Sequence, residues 1–229
     1  MFKIDQLSCG YGQSQILHDL DLHVAKREIV AVMGRNGMGK TTLFKSLMGI
    51  LPQWQGQVSV DGHEVSALET HERVARGIAY VPQGRMIFPS MSVLENIQTG
   101  LPASARGKVP EDLYALFPVL YDMQSRKGGN LSGGQQQQLA IARALATNPK
   151  VLLLDEPTEG IQPSIIKDIG RAIRSLRDQT GLAILLVEQY LDFCRELADH
   201  VYIMDRGEIV HSGDAASLDR PEVRKFLTV

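Results

Sequence analysis

Apolar residues fall in short runs along this chain. Ile29 to Met33, Val151 to Asp155 and Ala183 to Val187 are almost wholly apolar, the pattern of parallel strands covered on both faces. Val58 to Asp61, Ile78 to Val81 and Val201 to Met204 are further strand-like runs, and Met1 to Leu7 alternates apolar and polar like a strand. Asp61-Gly62 and Arg206-Gly207 each separate a strand from another apolar stretch. Tight turns between antiparallel strands are expected there, which makes the sheet mixed.

Lys40 to Leu51 and Ser164 to Arg177 carry helical spacing. In the second, Ile165, Ile169, Ala172, Ile173 and Leu176 recur at three- and four-residue intervals. Strand, loop and helix alternate as in a doubly wound α/β protein. Between Gln83 and Gln135 the strand signals vanish, and Val93 to Ile97, Glu111 to Asp122 and Gln135 to Ala146 predict helices. The expected organisation is one domain over 1–229, with an α/β core from 1–85 and 148–229 and a helical subdomain inserted over 86–147. Pro102 to Pro110 reads as an exposed loop.

Composition narrows the function. The 229 residues, 44% of them apolar, are enough for a packed core without staples. A net charge of −2 offers nucleic acid no broad attraction, so DNA and RNA are not expected partners. Cys9 and Cys194 form no CxxC pattern and the six histidines no ligand spacing, so a zinc site is not expected and reduced, cytosolic thiols are. The longest apolar runs fall far short of the ~20 residues that span a bilayer. The N-terminus lacks the basic start and apolar stretch of a signal peptide.

Candidate chemistry begins with Gly34-Arg35-Asn36-Gly37-Met38-Gly39-Lys40-Thr41, a GxxxxGK[ST] loop between a strand and a helix. Its glycines let the backbone wrap round phosphate oxygens and present N–H groups, while the helix adds its positive dipole end. Lys40 is expected to neutralise the β- and γ-phosphates, Thr41 to give its hydroxyl to Mg²⁺, and Thr42 to reach the α-phosphate region. The loop alone does not identify the enzyme class. Asp155 and Glu156 follow a buried strand at its carboxyl end, where ligands collect in open α/β sheets. Acidic groups there cost desolvation energy unless something uses them. Asp155 is expected to hold Mg²⁺ through water and Glu156 to polarise an attacking water.

A second segment, Leu131-Ser132-Gly133-Gly134-Gln135, has capping-box spacing ahead of a helix whose Leu139, Ala142, Leu145 and Ala146 share one face. A helix start is an anion site. Two phosphate-binding helix starts, one lacking lysine, suit a chain that closes on a nucleotide held by a second copy.

On these motifs the chain resembles the nucleotide-binding subunit of an ABC transporter over nearly all its length. The resemblance implies a P-loop NTPase fold of the α/β class, with a mixed sheet and an inserted helical subdomain, that hydrolyses ATP with Mg²⁺. It implies head-to-tail pairing in which Ser132, Gly134 and Gln135 of one subunit touch the ATP held by Lys40 of the other. Tyr11, 23 residues before Gly34, would stack on adenine. Gln83, after Tyr80-Val81-Pro82, would contact Mg²⁺ and sense the membrane partner.

Two positions depart from the family. Glu159-Gly160-Ile161-Gln162-Pro163 places Gln162 where the loop crossing to the other subunit usually has aspartate. Leu186-Val187-Glu188-Gln189 places Gln189 where a histidine usually holds the γ-phosphate. A neutral amide donates a hydrogen bond but carries no charge. The Val-Glu-Gln ending is familiar in the branch importing hydrophobic amino acids and small amides. Within it, Leu131 to Gln138, Glu156 to Ser164 and the terminal Phe226 to Val229 look most similar to the urea importer's ATP-binding subunit, with branched-chain amino acid importers the runner-up. This resemblance implies a second ATP-binding subunit, non-identical in preference to a homodimer, integral membrane permeases, indirectly a solute-binding protein, and a place at the cytoplasmic face of the inner membrane. A chromosome-maintenance or repair ATPase with the same paired motifs would need a long coiled-coil insertion, and no sustained heptad appears.

Overall fold

Two hydrophobic layers organise the chain, because its most apolar strands are buried on both faces. The computed structural model describes residues 1–105 and 107–227. In chain order it runs β1 (Phe2–Tyr11), β2 (Ser14–Val24), β3 (Ile29–Met33), α1 (Lys40–Leu47), β4 (Gln53–Val60), β5 (His63–Glu64), α2 (Thr70–Ala75) and β6 (Ile78–Val81). Helices α3 (Val93–Gln98), α4 (Glu111–Leu116), α5 (Pro118–Asp122) and α6 (Gly133–Leu145) follow. The chain ends with β7 (Val151–Asp155), α7 (Pro163–Thr180), β8 (Ala183–Glu188), α8 (Leu191–Leu197), β9 (His200–Asp205), β10 (Glu208–Asp214) and α9 (Pro221–Arg224).

A six-stranded sheet has the order β10-β9-β3-β8-β7-β6, parallel except for β10. Alternate residues of β3 serve different cores. Ile29, Ala31 and Met33 pack with α6, α7 and α8, whereas Val30 and Val32 pack with α1 and with a four-stranded antiparallel sheet of order β2-β1-β4-β5. Each fully buried Val, Leu or Ile contributes about 1.5–3 kcal/mol. The four buried aliphatic side chains of β7 thus outweigh the desolvation of Asp155 at its end.

Both predicted tight turns are present. Asp61-Gly62 and Arg206-Gly207 have positive φ at both residues and join the antiparallel pairs β4/β5 and β9/β10. The first of them belongs to the smaller sheet, so the sequence underestimates the sheets by one. Helix α1 stops at Leu47, four residues before the predicted end, because Gly49 turns left-handed at φ 72° and the Ile50 N–H returns to Lys45 O at 2.9 Å. The helix expected over Glu111 to Asp122 is two, since Pro118 lacks an N–H and holds Phe117 out of helical geometry. Arg143 of α6 lies 5.3 Å from the Phe88 ring centroid and donates to Arg85 O. Arg106 in the Pro102 to Pro110 loop, and Thr228 and Val229 of the terminal run, lie outside the described residues. Among those residues no helix is long and apolar enough to cross a membrane.

Candidate active site

Close backbone packing shapes the phosphate loop. A Cβ on Gly34 would sit 2.3 Å from Met204 O, so only glycine lets the loop run against β9. Gly37 and Gly39 adopt φ of 81° and 104°, and Gly39 leads into α1 with Leu17 and Ile16 beneath it. Met38 ties the loop to the β9–β10 turn, its carbonyl accepting from Gly207 N at 3.0 Å and its sulfur from Arg206 N at 3.3 Å. The Arg35 side chain donates to Lys225 O, while its carbonyl accepts from Lys40 Nζ within the loop. Thr42 is buried.

Lys40 is 5% exposed, and its ammonium donates to Gly34 O at 2.8 Å and Arg35 O at 2.9 Å. Burial pushes its pKa down, while the nearby Glu156, Asp155 and Glu188 carboxylates oppose that shift. Asp155 is pushed up by burial, against the hydrogen bond it accepts from Tyr80. Tyr80 OH donates to Asp155 Oδ2 at 3.0 Å, and Thr41 Oγ1 lies 3.5 Å from Asp155 Oδ1. Burial raises the Tyr80 phenol too, so it stays a donor.

Glu156 stands at φ 47°, rare for a side-chain-bearing residue. Its N–H donates to Val187 O at 2.9 Å and its carbonyl accepts from Glu159 N, so backbone bonds hold the turn. Oε1 lies 3.5 Å from Lys40 Nζ and accepts from Gln189 Nε2 at 2.8 Å; Oε2 accepts from Gln83 Nε2 at 3.1 Å. Gln83 also donates to Glu159 Oε2, and Gln189 to Asn36 Oδ1 at 2.7 Å. Asn36, Gln83, Glu156 and Gln189 thereby line one cleft of about 480 Å³.

Glu188 supports this arrangement from behind. It is 2% exposed and accepts from Thr158 N, Thr158 Oγ1, Gln189 N and Tyr190 N. The loops after β7 and β8 are pinned to one buried carboxylate. Sequence reasoning missed Tyr80, Glu188 and Thr158; the apolar-then-acidic end of β8, like that of β7, was the available signal for Glu188.

The structure does not bring the second motif into this cleft. Ser132 caps α6, its Oγ accepting from Gln135 N at 3.3 Å while Gln135 Oε1 accepts from Ser132 N at 2.9 Å. A Cβ on Gly134 would meet Ile165 at 2.5 Å, so glycine there permits α6 to start against α7. Ser132 and Gln135 line a separate cleft with Phe117, Ile165 and Asp168. Tyr11 ends β1 opposite Ser14 and is 47% exposed.

Residues 17–159 match the family model described as ABC transporter. The chain belongs to the ABC transporter family. As an ABC ATPase it binds and hydrolyses ATP and works with membrane permease components. It is 39% identical over 228 residues to the high-affinity branched-chain amino acid transport ATP-binding protein BraG of Pseudomonas aeruginosa, covering 98% of this chain and 97% of that one. It is 38% identical to a probable branched-chain amino acid transport ATP-binding protein, LivF, of Archaeoglobus fulgidus, over 95% and 94% of the two chains. The lipopolysaccharide export system ATP-binding protein LptB of Escherichia coli K12 is 35% identical over 94% and 91%. Among solved structures, a nucleotide-free ATP-binding cassette from an ABC transporter superposes with a TM-score of 0.86 at 27% identity, over 100% and 99% of the chains.

Proposed function

We propose that this ABC ATPase is one of two ATP-binding subunits that drive a branched-chain amino acid importer. The observation that carries the hydrolytic part is Glu156, whose carboxylate is held between Lys40, Gln83 and Gln189 at the mouth of the phosphate loop. Lys40 neutralises the β- and γ-phosphates, and Glu156 polarises the attacking water. Thr41 Oγ1 and Asp155 supply the hard oxygens that suit Mg²⁺, whose charge offsets that of the phosphate oxygens.

Gln189 commits both N–H groups of its amide, one to Asn36 and one to Glu156. Giving one of them to a γ-phosphate oxygen would free Glu156 Oε1 for water. Tyr11 stacks on adenine. Ser132, Gly134 and Gln135 serve the ATP of the second subunit, and the Ser132 hydroxyl, an acceptor from Gln135 N, keeps its own proton to donate. The separate position of that corner, away from its own chain's cleft, supports the reading.

Motion reaches the permease through the Gln83 loop and the 86–147 helical subdomain. An apolar groove beside that loop, with Met86, Phe88 and Ile50 exposed on it, is the face offered to a permease segment. The place of action is the cytoplasmic face of the membrane, with a solute-binding protein upstream of the permease. The 39% and 38% identical relatives favour branched-chain amino acids over the urea that the sequence resemblance put first.

Phosphate release by the purified complex tests the hydrolytic claim: Glu156→Gln is expected to abolish it, and a variant as fast as the wild type overturns the claim. Uptake of labelled leucine and urea by a deletion strain tests the solute. Loss of leucine uptake supports the branched-chain importer, and loss of urea uptake alone returns the assignment to urea.

A further inference from the structure

We propose that Arg85 is a positioning residue of the hydrolytic site, joining the Gln83 loop, the Glu159–Gly160 loop and the start of α6. The inference rests on the reading of Gln83, Glu156 and Ser132 given above. Gln83 is tied to Glu156 and Glu159 by its amide nitrogen, and two residues later Arg85 Nη2 donates to Glu159 O at 3.2 Å. The two loops are therefore laced at three points, with Glu156 at one of them.

The other side of the guanidinium meets the Ser132 motif. An ideal Cβ on Gly133 would stand 3.3 Å from both Nη1 and Nη2, and one on Gly160 would stand 3.5 Å from Nη2. The guanidinium therefore sits beside both glycines, where a side chain on either would crowd it. Its own backbone is held as well: Gly84, Arg85 and Met86 are all left-handed, with φ of 76°, 69° and 45°, and Arg85 O accepts from Arg143 Nη2 on α6. Three successive residues of that conformation fix the direction in which the side chain leaves the loop.

Geometry then assigns a task. The corner at Ser132 meets the nucleotide of the other subunit, whereas Gln83 and Glu156 face the nucleotide of their own. Arg85 bonds to Glu159 O and lies beside Gly133, so a shift of Gly133 on closure is passed to Glu159 and from there to Gln83 and Glu156. A planar fork suits this role better than a point charge, because it presents two nitrogens to Gly133 while donating to Glu159 O.

The test uses the assembled complex with Arg85→Ala, Arg85→Lys and Arg85→Met, each alone and with Gln83→Ala. Arg85→Ala is expected to lower kcat roughly tenfold, the scale of a small misplacement of catalytic groups, with KM for ATP within about twofold. Arg85→Lys recovers part of the loss, and Arg85→Met, which keeps the stem, does not. In the Gln83→Ala background the Arg85 substitution adds less than about a twofold loss, because both act through one link. Unchanged kcat in Arg85→Ala overturns the proposal, as does full multiplication of the two losses, or a KM that rises as much as kcat falls. Binding of a fluorescent ADP analogue to each variant reports an intact phosphate loop. Glu156→Gln run alongside separates the two claims. If it retains wild-type hydrolysis the reading of the site fails; if it is inactive while Arg85→Ala is unaffected, only the role of Arg85 fails.

Discussion

Gln189 donates through Nε2 to Glu156 Oε1 across 2.8 Å. The residue that occupies the family's usual histidine position is thus bonded directly to the carboxylate assigned to polarise water. An amide has no proton to gain near neutral pH, so the donor of this contact does not change charge between pH 6 and pH 8. A histidine at 189, with an ordinary pKa of about 6.5 raised by the adjacent carboxylate, would change charge within that range. Gln189→His is expected to add an inflection to the pH profile of kcat that the wild type lacks. Superimposable profiles would show that position 189 does not communicate with the hydrolytic group.

Tyr80 holds Asp155 from the side opposite Thr41, and its ring packs edge-on against Phe44 at 5.8 Å between centroids. Tyr80→Phe keeps the ring and removes the donor. A hydrogen bond to a charged group is worth about 1.5–3 kcal/mol, less where the group remains partly hydrated. The variant is expected to lose about 1–2 kcal/mol of stability in urea unfolding and to need severalfold more Mg²⁺ for half-maximal hydrolysis.

Burial raises the Asp155 pKa above the ordinary carboxylate value. The folded chain therefore holds this proton to a higher pH than the unfolded chain. Over the window from the ordinary value of 3.8 up through the folded value, stability falls as pH rises, and above it the ionised group is a standing cost. Asp155→Asn removes that cost. Its Tm is expected to exceed the wild type's at pH 7, with the gain shrinking as pH approaches 4, while hydrolysis is lost. An equal gain at both pH values would contradict that direction.

Gln162 is the N-cap of α7, yet its side chain makes no capping bond and the first turn of that helix has no acidic residue. Aspartate there would accept from the N2 or N3 N–H and face the positive helix end. Gln162→Asp is expected to stabilise the chain by roughly 0.5–1 kcal/mol, a Tm rise of about 1–4 °C for a domain of this size. No rise would show that α7 is capped by other means.

What the sequence made legible follows from how far apart the cooperating residues lie. Strands β3, β7 and β8 were readable because burial on both faces leaves an unbroken apolar run, and the Lys40 and Asp155-Glu156 segments because each motif is contiguous. Strand β2 was not, because Asp19 at φ 46° makes a bulge that shifts the register between Leu17 and Leu20 and breaks the alternation. Likewise the Tyr80–Asp155 bond spans 75 residues, Thr158–Glu188 30 and Arg85–Glu159 74. Such contacts are set by tertiary packing, and local periodicity carries no trace of them. The split of α4 from α5 is different: Pro118 stands in the sequence, and its ring restricts Phe117 strongly enough to break a continuous helical pattern.

Lys40 and Glu156 line one side of the molecule's phosphate loop and Ser132 a separate cleft, and the function proposed above makes them half-sites that two chains bring together for one reaction. Specific ATPase activity measured over serial dilution of the chain with its partner subunit tests this most directly. The account predicts a rate per chain that rises with concentration, and Ser132→Arg should suppress that rise without weakening binding of a fluorescent ADP analogue. A rate per chain independent of dilution, and indifferent to Ser132→Arg, would contradict it.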